Sequence, residues 1–293
     1  MRIVFIGTVE FSRQALEKLF SIGAEIVGVC TLSESGFNSD HVDLAPLCKK
    51  KGIPCYNALD INSLEVLNWI SSKTPDILFC FGWSRLLKTA LLQLAPLGVI
   101  GFHPAALPKN RGRHPLIWAL VLGLDKTAST FFFMDEGADT GDILSQREVC
   151  IDPFDDAASL YAKVTKTALV QIEEFLPQLS AGSFVRSKQT GGQANTWRKR
   201  SYADGRIDWR MTALSIYNLV RGLTRPYPGA HLVVDGQEIK VWKTAVVKDD
   251  GQNIEPGKII AYSGVSPVVK CGQDAICLLS TEPSFQPIVG SYL

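Results

Sequence analysis

Apolar residues fall into two rhythms over the first half of the chain. Arg2–Ile6, Glu25–Cys30, Ile53–Tyr56, Asp76–Phe81 and Val99–His103 are short, nearly unbroken apolar runs, the pattern of strands buried on both faces. Between them the period lengthens. Phe11, Ala15, Leu16 and Leu19 recur at helical spacing before Gly23, and Leu44–Lys51, Ser63–Ser72 and Leu87–Leu94 read the same way. Strand and helix in alternation predict an α/β fold, a doubly wound and mostly parallel sheet with helices on both faces. Ligands of such sheets bind at the carboxyl ends of the strands, near the switch in strand order. Gly7-Thr8 closes the first strand without completing a GxGxxG pattern, which argues against a dinucleotide site.

The second half changes character. Leu160, Val164, Ala168, Ile172 and Phe175 mark one face of a long helix over residues 155–179, ending near Gly182. Residues 183–200 are polar and without period, and read as a linker. After one more helix, Ala213–Leu223, short strand-like stretches at His231–Val234, Glu238–Trp242, Lys258–Ala261 and Ala275–Leu279 alternate with Gly and Pro turns. That pattern predicts a small β-barrel-like domain. The expected organisation is a domain over 1–182, a linker over 183–200 and a β-rich domain over 201–293.

Composition changes this picture little. With 46% hydrophobic and 20% charged residues, the 293-residue chain has ample material for a core. Thirty basic against 29 acidic side chains leave a net charge of +1, which disfavours an extended grip on a polyanion. The seven cysteines include no CxxC pair and read as reduced thiols in a cytoplasmic protein. Cys271 and Cys277 could pair across a hairpin, although two buried thiols are the commoner arrangement. The opening MRIVFIG is too short for a signal peptide. No apolar stretch nears the roughly 18 residues of a membrane span, so no membrane partner is expected.

Two segments carry candidate chemistry. In GFHPAALPKNRGRHPLIWAL, residues 101–120, His103 stands where a strand gives way to a loop. Pro104 holds it extended, and Lys109, Arg111 and Arg113 follow. In STFFFMDEGADTGDIL, residues 129–144, an apolar strand runs into a turn bearing Asp135, Glu136, Asp139 and Asp142. Taken singly, a strand-end histidine is more often structural and an acidic turn more often a solvated one.

Together the segments resemble the signature of the 10-formyltetrahydrofolate transformylase superfamily. Its members carry Asn-x-His at a strand end, then Leu-Pro-x-x-Arg-Gly, then an Asp followed by a small residue and Gly. His103, Leu107-Pro108, Arg111-Gly112 and Asp139-Thr140-Gly141 match. DGRIDW at 204–209, VRGLTRPYPGA at 220–230 and EPGKII at 255–260 are similar to the small C-terminal domain of methionyl-tRNA and sugar-nucleotide formyltransferases. The resemblance implies a Rossmann-like formyltransferase fold with an OB-like second domain. It also implies an N-formyltransferase that moves a formyl group from 10-formyltetrahydrofolate to an amine without a metal. His103 would move the proton and Asp139 would orient its ring. The pteridine would lie along the loop after the fourth strand, at Trp83, Ser84, Arg85, Leu86 and Leu87, although Trp83 reads equally as a core aromatic. One position departs from the pattern. Gly101 replaces the asparagine that donates to the formyl oxygen, and losing such a donor typically costs about a hundred- to a thousandfold in rate. Asn110 and His114 are the candidate replacements.

Four readings follow for the acceptor. A sugar-nucleotide N-formyltransferase is favoured, with Lys109, Arg111, Arg113 and His114 at a nucleotide-linked amino sugar, for example a 4-amino-4,6-dideoxy sugar of a surface-glycan or nonulosonic acid pathway. A methionyl-tRNA formyltransferase is the alternative. It is set back by residues 33–43, which contain no Lys or Arg but include Glu34, Asp40 and Asp43, and would repel phosphate. No nucleic-acid partner is therefore expected, and a homodimer is allowed. A glycinamide ribonucleotide transformylase fits poorly, because those enzymes usually lack such a second domain. A weakly active folate-binding or scaffold homologue is suggested by Gly101.

Overall fold

The computed structural model describes residues 1–34, 36 and 39–293. The elements begin with β1 (Arg2–Ile6), α1 (Glu10–Ser21), β2 (Glu25–Thr31), α2 (Ala45–Lys51), β3 (Cys55–Asn57), α3 (Leu64–Ser72), β4 (Ile77–Cys80) and α4 (Thr89–Leu92). There follow β5 (Val99–His103), β6 (Arg111–Gly112), α5 (Pro115–Val121), β7 (Lys126–Phe133), β8 (Ile143–Cys150), α6 (Ala157–Ala181) and β9 (Thr196–Trp197). The last are α7 (Ala213–Leu223), β10 (Ala230–Val234), β11 (Gln237–Val247), β12 (Ile259–Ser263), β13 (Ser266–Lys270) and β14 (Ala275–Glu282). The chain folds into two compact units. The first holds Met1–Pro115, Thr127–Val149 and Ala162–Trp197, and the second holds Leu116–Lys126, Cys150–Tyr161 and Arg198–Leu293.

The first unit is built on a seven-stranded sheet in the order β3-β2-β1-β4-β5-β7-β8. β3, β2, β1, β4 and β5 run parallel, and β7 lies antiparallel to β5. The strands are buried because the sequence makes them apolar on both faces. Ile3, Val4, Phe5, Ile6, Ile77, Leu78 and Phe79 are all inaccessible to solvent. The helices have local causes as well. Ser63 caps α3 by accepting a bond from Val66 N, and Gly52 ends α2 at φ +68° behind Lys49, Lys50 and Lys51. The order of the sheet reverses between β1 and β4, so the carboxyl ends of these strands form its switch point.

The second unit carries an antiparallel five-stranded sheet, β10-β11-β14-β13-β12, with α7 packed on β11. Ile216, Leu219, Val220, Leu232, Ile239, Val241 and Ile276 share its core with Ile117 of α5.

Several expectations change here. β13 was not visible in the sequence, since Pro267 interrupts the apolar run. β8 escaped because it is half polar, with Gln146, Arg147 and Glu148 exposed or partly so. The helix expected over Leu87–Leu94 shrinks to α4. The stretch expected to be a linker is ordered up to Trp197 against the first unit. Ser187 exchanges backbone bonds with Ile143, and β9 pairs parallel with β6.

Candidate active site

At the switch point the chain turns are held by one buried hydroxyl. Ser12 Oγ of α1 accepts from Thr8 N and Val9 N, both at 3.1 Å, and donates to Phe81 O at 2.6 Å. The backbones approach so closely that only glycine fits. A Cβ on Gly7 would stand 2.5 Å from Phe81 O, and one on Gly82, whose φ is +74°, would stand 2.3 Å from Val9 Cγ2. The loop over residues 82–88 leaves from this anchor. Asn62 steadies it, donating to Leu86 O at 3.0 Å and accepting from Lys88 N at 2.7 Å. Arg85 donates to Leu59 O. Leu87 is buried, whereas Leu86 is 71% exposed. Trp83 packs on the core below the loop, yet its indole Nε1 is buried without an acceptor among the described residues.

His103 ends β5 and is 5% exposed. Its Nε2 lies 2.7 Å from the carbonyl oxygen of Asn110. A carbonyl can only accept, so Nε2 carries the proton and Nδ1 has the lone pair in the neutral ring. Nδ1 faces Asp139 Oδ2 at 3.6 Å, beyond a direct hydrogen bond but close for a charge pair. Asp139 Oδ2 in turn accepts from Gly112 N at 2.9 Å. The carboxylate does not arrive by the route its sequence position suggests. β7 is antiparallel to β5, so Phe133 ends it beside Ile100, at the start of β5. Residues 134–141 then fold back to bring Asp139 to His103. Asp135 shapes this return by accepting from Thr140 Oγ1 and Gly137 N, while Glu136 accepts from Thr89. Two members of the acidic turn are thus spent on loop geometry.

Asn110, His114 and Asp139 have φ of +62°, +56° and +58°. Left-handed non-glycine residues of this kind gather where surrounding structure holds a functional geometry against strain. The rest of the first segment is held as tightly. Gln146 Nε2 donates to Leu107 O and Thr130 Oγ1, and Thr130 donates to Ala105 O. Gly112, at φ +99°, has no room for a Cβ, which would meet Trp197 O at 2.2 Å. The place of the missing asparagine is filled. A Cβ on Gly101 would meet Met134 Cγ at 2.8 Å and Phe132 Cζ at 3.0 Å, so apolar side chains lie where a larger residue would reach. The side-chain amide of Asn110 makes no hydrogen bond among the described residues, while its backbone N donates to Asn195 Oδ1 and its carbonyl serves His103. Lys109 is exposed. The guanidinium of Arg111, expected at a diphosphate, instead donates to Gln189 Oε1 through Nε at 3.2 Å and Nη2 at 2.7 Å. Gln189 and Asn195 escaped sequence reasoning, because they lie in an aperiodic polar stretch. Among the described residues no group of three or more His, Cys, Asp or Glu side chains could hold a metal ion.

Comparison with known proteins places these features in context. The sequence model of the family described as Formyl transferase matches residues 1–173, and that of Formyl transferase, C-terminal domain, matches residues 199–289. A curated methionyl-tRNA formyltransferase of Caldanaerobacter subterraneus subsp. tengcongensis is 33% identical over 96% of this chain and 92% of its own length. Its counterpart from Geobacter sulfurreducens is 33% identical over 95% of this chain and 88% of its own. Among solved structures, the sugar 3N-formyl transferase WlaRD, crystallised with dTDP and 5-N-formyl-THF, superposes with a TM-score of 0.71. It covers 97% of this chain and 99% of its own at 16% identity, a likeness of fold alone.

These relatives correct two expectations, the nucleotide-linked amino sugar as acceptor and the absence of a nucleic-acid partner. The charge of residues 33–43 was the main ground for both. Asp43 is half-buried and accepts from Ala45 N at the start of α2, and His41 bonds Thr8. Ser35, Phe37 and Asn38 of the same stretch lie outside the described residues.

Proposed function

This chain belongs to the formyl transferase family, and we propose that it transfers a formyl group from 10-formyltetrahydrofolate to the amine of methionyl-tRNA. The observation that carries this reading is the 33% identity to curated methionyl-tRNA formyltransferases along 96% of the chain. The site supports it. Bound 10-formyltetrahydrofolate supplies an activated formyl carbon. The loop over residues 82–87 is the surface offered to its pterin, with the exposed Leu86 as apolar wall. As the amine bonds the formyl carbon, His103 takes its proton at Nδ1, the ring nitrogen left basic by the Nε2 bond to Asn110 O, and returns it to N10 as the bond from the formyl carbon to N10 breaks and tetrahydrofolate leaves. Asp139, 3.6 Å from that atom, stabilises the imidazolium that forms. The side-chain amide of Asn110 is the donor offered to the formyl oxygen, because Met134 and Phe132 close the Gly101 position.

The test is a transfer assay with 10-formyltetrahydrofolate and charged initiator tRNA, read as formyl-methionine after deacylation. Wild type is expected to formylate. His103→Asn and Asp139→Asn are each expected to lose about a hundred- to ten-thousandfold in kcat, and Asn110→Ala about a hundred- to a thousandfold. A folded wild type that makes no formyl-methionine refutes the acceptor.

A further inference from the structure

The side chain of Gln189 joins the two motif segments. Its Nε2 donates to Asp139 O at 2.9 Å and to Gly141 O at 2.7 Å. Its Oε1 accepts both the Nε and Nη2 bonds of Arg111. An amide has two hydrogens and two lone pairs, and here all four are used. The orientation follows from the partners, since the reversed amide would set its hydrogens against a guanidinium. No other side chain fills this role. Alanine leaves three groups unpartnered, asparagine is a methylene shorter, and glutamate sets a carboxylate oxygen against two carbonyls.

From this we infer that Gln189 is the positioning residue of the His103–Asp139 pair, which rests on the reading of that pair as the reacting centre. The return loop before Asp139 needs such a clamp. Asp139 sits at φ +58°, a conformation that relaxes unless it is held. Its carboxylate must stay 3.6 Å from Nδ1, while the chain carrying it leaves β7 at the far end of β5. Gln189 fixes the backbone on both sides of Thr140, and through Arg111 it ties that backbone to the segment that orients the ring. Asn195 completes the same strap, since its Oδ1 accepts from Asn110 N, one residue's backbone away from the carbonyl that holds Nε2. Thus residues 189–195 set both partners of the pair without touching a reacting atom.

The experiment compares Gln189→Ala and Gln189→Glu in the full chain. Glutamate keeps an acceptor for Arg111 and loses only the carbonyl bonds, so it remains informative if alanine fails to fold. Both are expected to lower kcat about ten- to a hundredfold with the KM for 10-formyltetrahydrofolate within about twofold of wild type. In an Asp139→Ala background Gln189→Ala is expected to lower kcat no further, because the group it positions is gone. An unchanged kcat, full turnover in the glutamate variant, or an equal fall with and without Asp139 overturns the inference. A second measurement needs no acceptor. The 15N signals of the His103 ring in the free protein should move in Gln189→Ala and stay in place in the exposed control Gln178→Ala; signals unmoved in both overturn the inference. If wild type fails to formylate methionyl-tRNA, the proposed acceptor fails and the ring signals still decide the role of Gln189.

Discussion

Gly101 shows how a single atom's worth of space separates this site from the family pattern. An asparagine there would have to displace Met134 and Phe132, which approach its Cβ to 2.8 and 3.0 Å. Restoring the family residue is therefore expected to harm the protein. Gly101→Asn should destabilise it by about 1–3 kcal/mol through overpacking, measured by denaturant unfolding, and should not raise kcat. A gain in turnover would mean that the space opens readily. At the other end of the chain His231 carries a different constraint. It is buried, stacks on Tyr202 at 4.1 Å between ring centroids, and its Nε2 has no partner among the described residues. Burial holds its pKa below the ordinary histidine value, against the pull of Glu238 and with the help of Lys240 and Arg206. The unfolded chain takes up this proton near pH 6.5 and the folded chain only at lower pH, so protonation favours unfolding. The contribution is intact above about pH 6.5 and is lost progressively below it. Thermal unfolding of wild type should accordingly drop more steeply between about pH 6.5 and 5 than that of His231→Asn; parallel curves would remove His231 as the cause.

The element that decides the geometry of the site is the return loop over residues 134–141. Its close at Gly141 lies against Phe133 O, where an added Cβ would stand 1.7 Å away. Gly141→Ala must push the loop off β7 and carry Asp139 from His103. A shift of an ångström in a reacting geometry costs about a hundredfold, and a fall of that order in kcat is expected. Far-UV circular dichroism should stay close to that of wild type, since the loop is neither helix nor strand. An unchanged kcat would show that the pair tolerates displacement. The loop over residues 82–88 is built differently. Asn62 and Ser12 pin its base, and its Leu86 is left exposed.

At the scale of the whole molecule, the two units do not follow the sequence in two consecutive blocks. Leu116–Lys126 and Cys150–Tyr161 belong to the second unit, and Gly222 of α7 comes so near α5 that a Cβ there would meet Leu120 Cβ at 3.2 Å. A fragment of residues 1–182 therefore loses the partners of α5, and with residues 183–197 it also loses Gln189 and Asn195. It is expected to bind a hydrophobic dye and to unfold without a cooperative transition, and hence not to hold folate as an independent domain. A sharp two-state transition for that fragment would contradict this division. No helix among the described residues is long and apolar enough to cross a membrane.

Much of the fold was legible because it rests on local pattern. β1, β5 and α7 begin and end where the apolar runs do, since a strand buried on both faces and an amphipathic helix each write their period into the chain. His103 and Asp139 were singled out on another ground, as residue types in a spacing that resembles a known family, and the fold brings them to 3.6 Å. The sequence could not show which ring nitrogen of His103 is basic, because that depends on a carbonyl seven positions away. Nor could it show that Asp139 returns along an antiparallel strand, that Met134 fills the place beside Gly101, or that Gln189 clamps both segments. Each is a contact between residues that share no period and no motif, and such contacts exist only once the chain has closed on itself. The acceptor was misread for a different reason, since it was corrected by identity to curated relatives along the chain and not by any contact within the fold.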